Sequence, residues 1–159
     1  LFEKTIALPT SDEGLPVGVS YGLLTGLGGS LYLLPNDFSI SHAGTYALWR
    51  YDPDQDSWTQ CADLPEALSS ASMTVFDGKL YVYGEAGETD GALAPRLVSY
   101  DPATNAWTSH DASRLPFHAT IVNCDGAMLL VGGAAYDGVK WVELTEGNIA
   151  VYDTQTGGR

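Results

Sequence analysis

A period of about 49 residues runs through this chain and constrains its fold more than any single motif. A turn followed by an apolar run recurs as Gly28-Gly29-Ser30-Leu31-Tyr32-Leu33-Leu34, Asp77-Gly78-Lys79-Leu80-Tyr81-Val82-Tyr83 and Asp125-Gly126-Ala127-Met128-Leu129-Leu130-Val131, with the second glycines 49 and 48 residues apart. Tyr51-Asp52-Pro53 with Trp58 returns as Tyr100-Asp101-Pro102 with Trp107, and begins again at Tyr152-Asp153-Thr154. Leu-Pro pairs at 15–16, 64–65 and 115–116 precede each apolar run by a similar distance. Three independent anchors keep one period, which is the signature of a supersecondary unit that buries its faces against neighbouring copies.

Each repeat reads as four short strands. In the second they are expected at about 71–76, 79–83, 96–100 and 106–110, with Asp77-Gly78 as a two-residue hairpin turn and the Asp-Pro opening of a second hairpin placing Tyr100 across from Trp107. The second strands are apolar without alternation, so both of their faces are buried, as when one sheet is sandwiched between two others. Eighteen glycines, eight prolines and nine tyrosines fit many short strands joined by tight turns, and 45% apolar residues suffice for a core. The expected class is all-β, and the expected unit is the four-stranded blade of a β-propeller.

The glycine-ended apolar strand followed by a Tyr and a Trp resembles the kelch repeat over nearly the whole chain. The resemblance implies a propeller that binds a ligand rather than a self-sufficient catalytic domain. The third repeat keeps the glycine doublet as Leu130-Val131-Gly132-Gly133, whereas the second has Gly84-Glu85 and the first Leu34-Pro35. Tyr51, Trp58, Tyr100, Trp107 and Tyr152 are read as structural repeat aromatics packing between blades.

The repeat phase sets the expected organisation: 1–9 as the fourth strand of a preceding blade, 10–65 as the first repeat, 66–116 as the second, and 117–159 as a third lacking its fourth strand. Three blades are too few to close a ring, so the chain is expected to be a partial propeller, roughly half of a six- or seven-bladed one. Its implied partners are the remaining blades or a second copy, and it is not expected to be a stable monomer. Leu1 at the start leaves room for a preceding leader or further blades, and the compartment stays open.

Seven basic against twenty acidic residues give a formal charge of −13, which repels phosphate backbones and argues against nucleic acid as partner. No apolar run approaches the ~20 residues of a membrane span. Cys61 and Cys124 lie far apart, outside any metal-ligand spacing, and are read as free thiols. Asp52, Asp54 and Asp56 alternate like the start of a calcium loop but lack its glycine and closing glutamate. His42, His110 and His118 are too dispersed to argue for a metal, and neither a serine elbow nor a phosphate loop is present. No cofactor is implied.

In such a meander, the connections from second to third strand (35–45, 84–95, 132–147) and from one blade to the next (9–17, 62–70, 111–118) share a rim. Within them Asp37, His42, Glu88, Asp90, Arg114, His118, Tyr136 and Trp141 are candidate contacts, and Arg114, His118, Tyr136 and Trp141 combine a cation, an imidazole and aromatic surface in the third repeat. The expected function is a binding module for a protein or a carbohydrate. The alternative is a sugar-processing enzyme similar to the sialate mutarotases, with Arg114 or Arg96 holding a carboxylate and Glu88 or His118 moving a proton.

Overall fold

The computed structural model describes residues 5–8, 21–36, 47–87, 92–136, 141–143 and 149–152. They form thirteen strands and, among the described residues, no helix. The chain divides into two units, Leu1–Leu64 and Pro65–Arg159.

The first unit holds one antiparallel sheet in the order β1 (Tyr21–Leu27), β2 (Ser30–Asn36), β3 (Trp49–Asp52) and β4 (Ser57–Gln60). The second holds the same meander as β5 (Ser69–Phe76), β6 (Lys79–Gly87), β7 (Leu93–Asp101) and β8 (Ala106–His110). After it come β9 (Thr120–Cys124) and β10 (Ala127–Val131), a small hairpin of β11 (Ala134–Tyr136) and β12 (Trp141–Glu143), and β13 (Ile149–Tyr152), which pairs back on β10. In the first two repeats four strands, each hydrogen-bonded to the next in sequence, make a propeller blade.

Turn chemistry explains the repeat. Asp77 and Gly78 take φ of 47° and 71°, Asp125 and Gly126 49° and 79°, and Gly28 and Gly29 59° and 81°, the left-handed pair a two-residue hairpin needs. At the second hairpin, Asp52 Oδ1 accepts from the backbone N–H of Asp54 and Gln55 at 2.9 and 3.2 Å, and Asp101 Oδ1 accepts from Ala103 N–H at 2.9 Å. These aspartates are occupied in closing turns. The Tyr51–Trp58 and Tyr100–Trp107 rings then meet at the same separation of 5.2 Å. Both tyrosines are buried, whereas both tryptophans are only half-buried.

β6 is buried on both faces along nearly its whole length, as its unbroken apolar run requires. Tyr81 and Tyr83 from β6 and Leu97 from β7 pack with Ala112, Leu115, Ala119, Ile121, Met128 and Leu130 into the core of the second unit. β9 lies at the edge of its sheet, and neighbouring β5 satisfies its outward backbone: Ile121 N–H donates to Ser72 Oγ at 3.0 Å and Asn123 N–H to Thr74 Oγ1 at 2.9 Å.

Two elements differ from expectation. β6 and β7 run on past the expected strand ends, pairing Glu85 with Pro95 and Gly87 with Leu93. The connection placed at 132–147 instead contains the β11–β12 hairpin, whose ends Tyr136 and Trp141 are register partners. Glycines explain the contrast. Gly132 and Gly133 turn away with φ of 75° and 99°, while Glu85, at the position matching Gly133, stays extended because a side chain makes that left-handed region costly. Residues 5–8, expected within a fourth strand of a preceding blade, join no ladder among the described residues; the Ala7 carbonyl accepts from Trp58 Nε1–H at 2.7 Å.

Candidate functional site

The second unit fixes its loop-bearing rim with a buried carboxylate. Gly84 must be glycine, since a Cβ there would stand 2.8 Å from the Ser69 carbonyl oxygen. Its neighbour Glu85 is 1% exposed. Ser69 Oγ donates to the Glu85 carbonyl at 3.2 Å, holding the strand in place. Glu85 Oε1 accepts the backbone N–H of His118 at 2.6 Å, and Oε2 lies 3.4 Å from His118 Nδ1. A charged acceptor at that distance is among the stronger hydrogen bonds a loop amide can make. It holds His118 in a left-handed conformation, φ 58°, with its ring about half exposed.

A second tether lies beside the first. Tyr83 Oη donates to the Pro116 carbonyl, two residues before His118. Burial, and then the nearby Glu85 charge, push the Tyr83 phenol well above its ordinary range, so it remains a donor at any physiological pH. Phe117 adds a third tether, exchanging backbone hydrogen bonds of 2.8 Å in both directions with Ala134 at the start of β11. Gly133 makes that approach feasible, because a Cβ on it would come within 2.6 Å of the Phe117 oxygen.

The connection between β8 and β9 is thus held by side-chain and backbone bonds at 116, 117 and 118. Along it, Asp111 Oδ1 accepts from Ser113 N–H at 3.0 Å, and that bond, with the Ser113 side chain and the Arg114 charge, lowers the Asp111 carboxyl below its ordinary value. Arg114 itself is exposed.

Of the residues singled out in the sequence, Arg114 and His118 stand four positions apart on this connection, and Tyr136 and Trp141 are backbone register partners in the hairpin. The Phe117–Ala134 bridge joins the two segments. Asp37, His42, Glu88 and Asp90 lie outside the described residues. Arg96 is engaged: its Nε donates to Glu66 Oε1 at 3.0 Å and its Nη1 to the Pro95 carbonyl at 3.2 Å. An anionic ligand would have to displace Glu66 to reach it. Among the described residues no three His, Cys, Asp or Glu side chains gather to hold a metal, and Cys61 and Cys124 are free thiols. No helix among them is long and apolar enough to cross a membrane.

Glu85 is the site residue that sequence reasoning passed over. A lapse in the glycine doublet registered there as a weakened motif, although a carboxylate inside an otherwise apolar strand also signals a buried partner.

No protein-family model matches the chain. It is 33% identical over 131 residues to Kelch-like protein terF of Aspergillus terreus, covering 78% of this chain and 28% of that protein. An F-box/kelch-repeat protein of Arabidopsis thaliana, At1g67480, is 29% identical over 165 residues, covering 99% of this chain and 40% of that protein. The solved structure of YjhT matches with a TM-score of 0.60 at 24% identity, over 80% of this chain and 36% of its own; it bears on the fold alone. The chain spans less than half the length of each of these proteins. Repeat period, blade topology and relatives converge, and the chain belongs to the kelch-repeat family.

Proposed function

We propose that the chain is a protein-interaction module, with the rim carrying the β8–β9 connection and the β11–β12 hairpin as its docking face. The observation that carries this reading is the buried Glu85 holding His118. A carboxylate taken fully out of water costs free energy; Oε2 has no hydrogen-bond partner among the described residues, and the Oε1 bond to the His118 N–H serves to fix a loop rather than to fill a core. A fixed loop loses little entropy on docking, which is how a module gains affinity from a modest face. The kelch-repeat relatives support the same reading, one of them joining such repeats to an F-box by its name.

Arg114, His118, Tyr136 and Trp141 are the contact residues on this account, a mixture of guanidinium, imidazole and aromatic surface of the kind found at interface hot spots. The opposite rim carries the short Asp-Pro and Asp-Gly turns, with Lys79 Nζ 3.5 Å from Asp101.

Peptide-display selection on the 159-residue chain, followed by affinity measurement on variants of the selected complex, tests the reading. Arg114→Ala and Trp141→Ala should each weaken binding by about tenfold or more, the scale of an interface hot spot. If both bind as the parent does while Asp54→Ala or Lys79→Ala abolishes binding, the opposite rim is the docking face.

A further inference from the structure

The first repeat holds a cavity of about 360 Å³, lined by residues 5–8 together with Trp49, Tyr51, Asp56, Ser57 and Trp58. That volume is within the range of small-ligand sites.

The second repeat is an internal control for which of these residues the fold itself requires. There the Tyr100–Trp107 pair reproduces Tyr51–Trp58, with ring planes at 50° and 49°. Asn105 stands where Asp56 stands, with φ of 51° against 49°, and each side chain accepts a hydrogen bond from its tyrosine hydroxyl. Tyrosine, tryptophan and a side-chain oxygen are therefore the needs of the turn.

Two features are additional to those needs. Trp49, register partner of Gln60, occupies the place held in the second repeat by Val98, register partner of Ser109. Val98 is fully buried. Trp49 is 8% exposed, and its buried Nε1–H has no hydrogen-bond partner among the described residues, a penalty valine does not carry. Asp56 adds a formal charge where Asn105 has none. Both additions line the same cavity.

We propose that this cavity binds an organic cation, an ammonium or guanidinium group set against the rings of Trp49, Tyr51 and Trp58 and neutralised by Asp56. Aromatic faces carry negative quadrupole density, and indole attracts cations most strongly. Asp52 and Asp54 on the same turn, within a chain of net charge −13, deepen the negative potential at the site. The cation is either a basic side chain of a peptide or a free quaternary amine. The site is independent of the docking face proposed above.

The test titrates the full 159-residue chain with choline, with Nα-acetyl-arginine amide and with 3,3-dimethylbutan-1-ol, the uncharged shape-mimic of choline, while following the indole N–H resonances. Trp49→Val and Asp56→Asn serve as variants, since each installs the residue that the second repeat already accommodates. Saturable shifts of the Trp49 and Trp58 resonances with at least one cation, weakened about tenfold in either variant, are expected, with no response to the alcohol. Tighter binding of the arginine derivative assigns the site to a peptide and tighter binding of choline to a free amine; both support it. Absence of any shift, equal binding of the alcohol, or full binding by Asp56→Asn overturns it.

Discussion

His110, at the end of β8, shows how a single side chain ties this fold to pH. Its ring stacks on Tyr81 at a centroid separation of 5.5 Å, and its Nε2 lies 2.8 Å from Ser99 Oγ. Burial, and then the Lys79 charge, hold the imidazole below its ordinary value of 6.5. The folded state thus resists a proton that the unfolded chain accepts, so the stability linked to His110 is intact above about pH 6.5 and is lost as pH falls through that value towards the lower folded one. The melting temperature should decline as pH falls below about 6.5, and His110→Gln, which keeps a partner for Ser99, should flatten the decline; an unchanged profile in the variant would assign the acid sensitivity elsewhere. Residue by residue, legibility followed pattern. Tyr51, Trp58, Tyr100 and Trp107 were readable because they repeat, whereas Trp49 went unnoticed because no repeat position calls for a tryptophan there.

At the level of elements, the period, the Gly28-Gly29 turn and the two Asp-Gly turns locate three strand pairs and the sandwiched second strand, since those depend on local geometry and on burial of both faces. What stayed hidden depends on glycine. The doublet at 132–133 ends β10, and its partial loss at 84–85 lets β6 and β7 run on to Gly87 and Leu93. The β11–β12 hairpin lies inside the single connection expected at 132–147. The hydroxyls of β5 were invisible for another reason: Ser72 and Thr74 look like ordinary half-buried strand residues until β9 is laid beside them. Thr74→Val keeps the shape and removes the acceptor for Asn123 N–H, and should cost about 1 kcal/mol by chemical denaturation. A variant as stable as the parent would show that water replaces the hydroxyl and that the bond does not hold β9.

The whole molecule combines repeat units with exposed apolar side chains on strands of the first and third repeats. Leu24 on β1 is 60% exposed, and Val122 and Val131 on β9 and β10 are also exposed. We propose that these strands accept further blades or a second copy, and light scattering on the isolated 159-residue chain should report self-association at micromolar concentration; a monodisperse monomer with a cooperative melt contradicts this. The central claim, that a buried carboxylate preforms the docking rim, is tested most directly by residue-resolved amide hydrogen exchange on the chain and on Glu85→Ala and Glu85→Gln. In the parent the His118 amide should exchange far more slowly than an open loop amide. Glu85→Ala should release it while the β6–β7 ladder stays protected, and Glu85→Gln, which keeps an acceptor, should retain most of the protection. A His118 amide that exchanges freely in the parent, or equally slowly in all three proteins, contradicts the account.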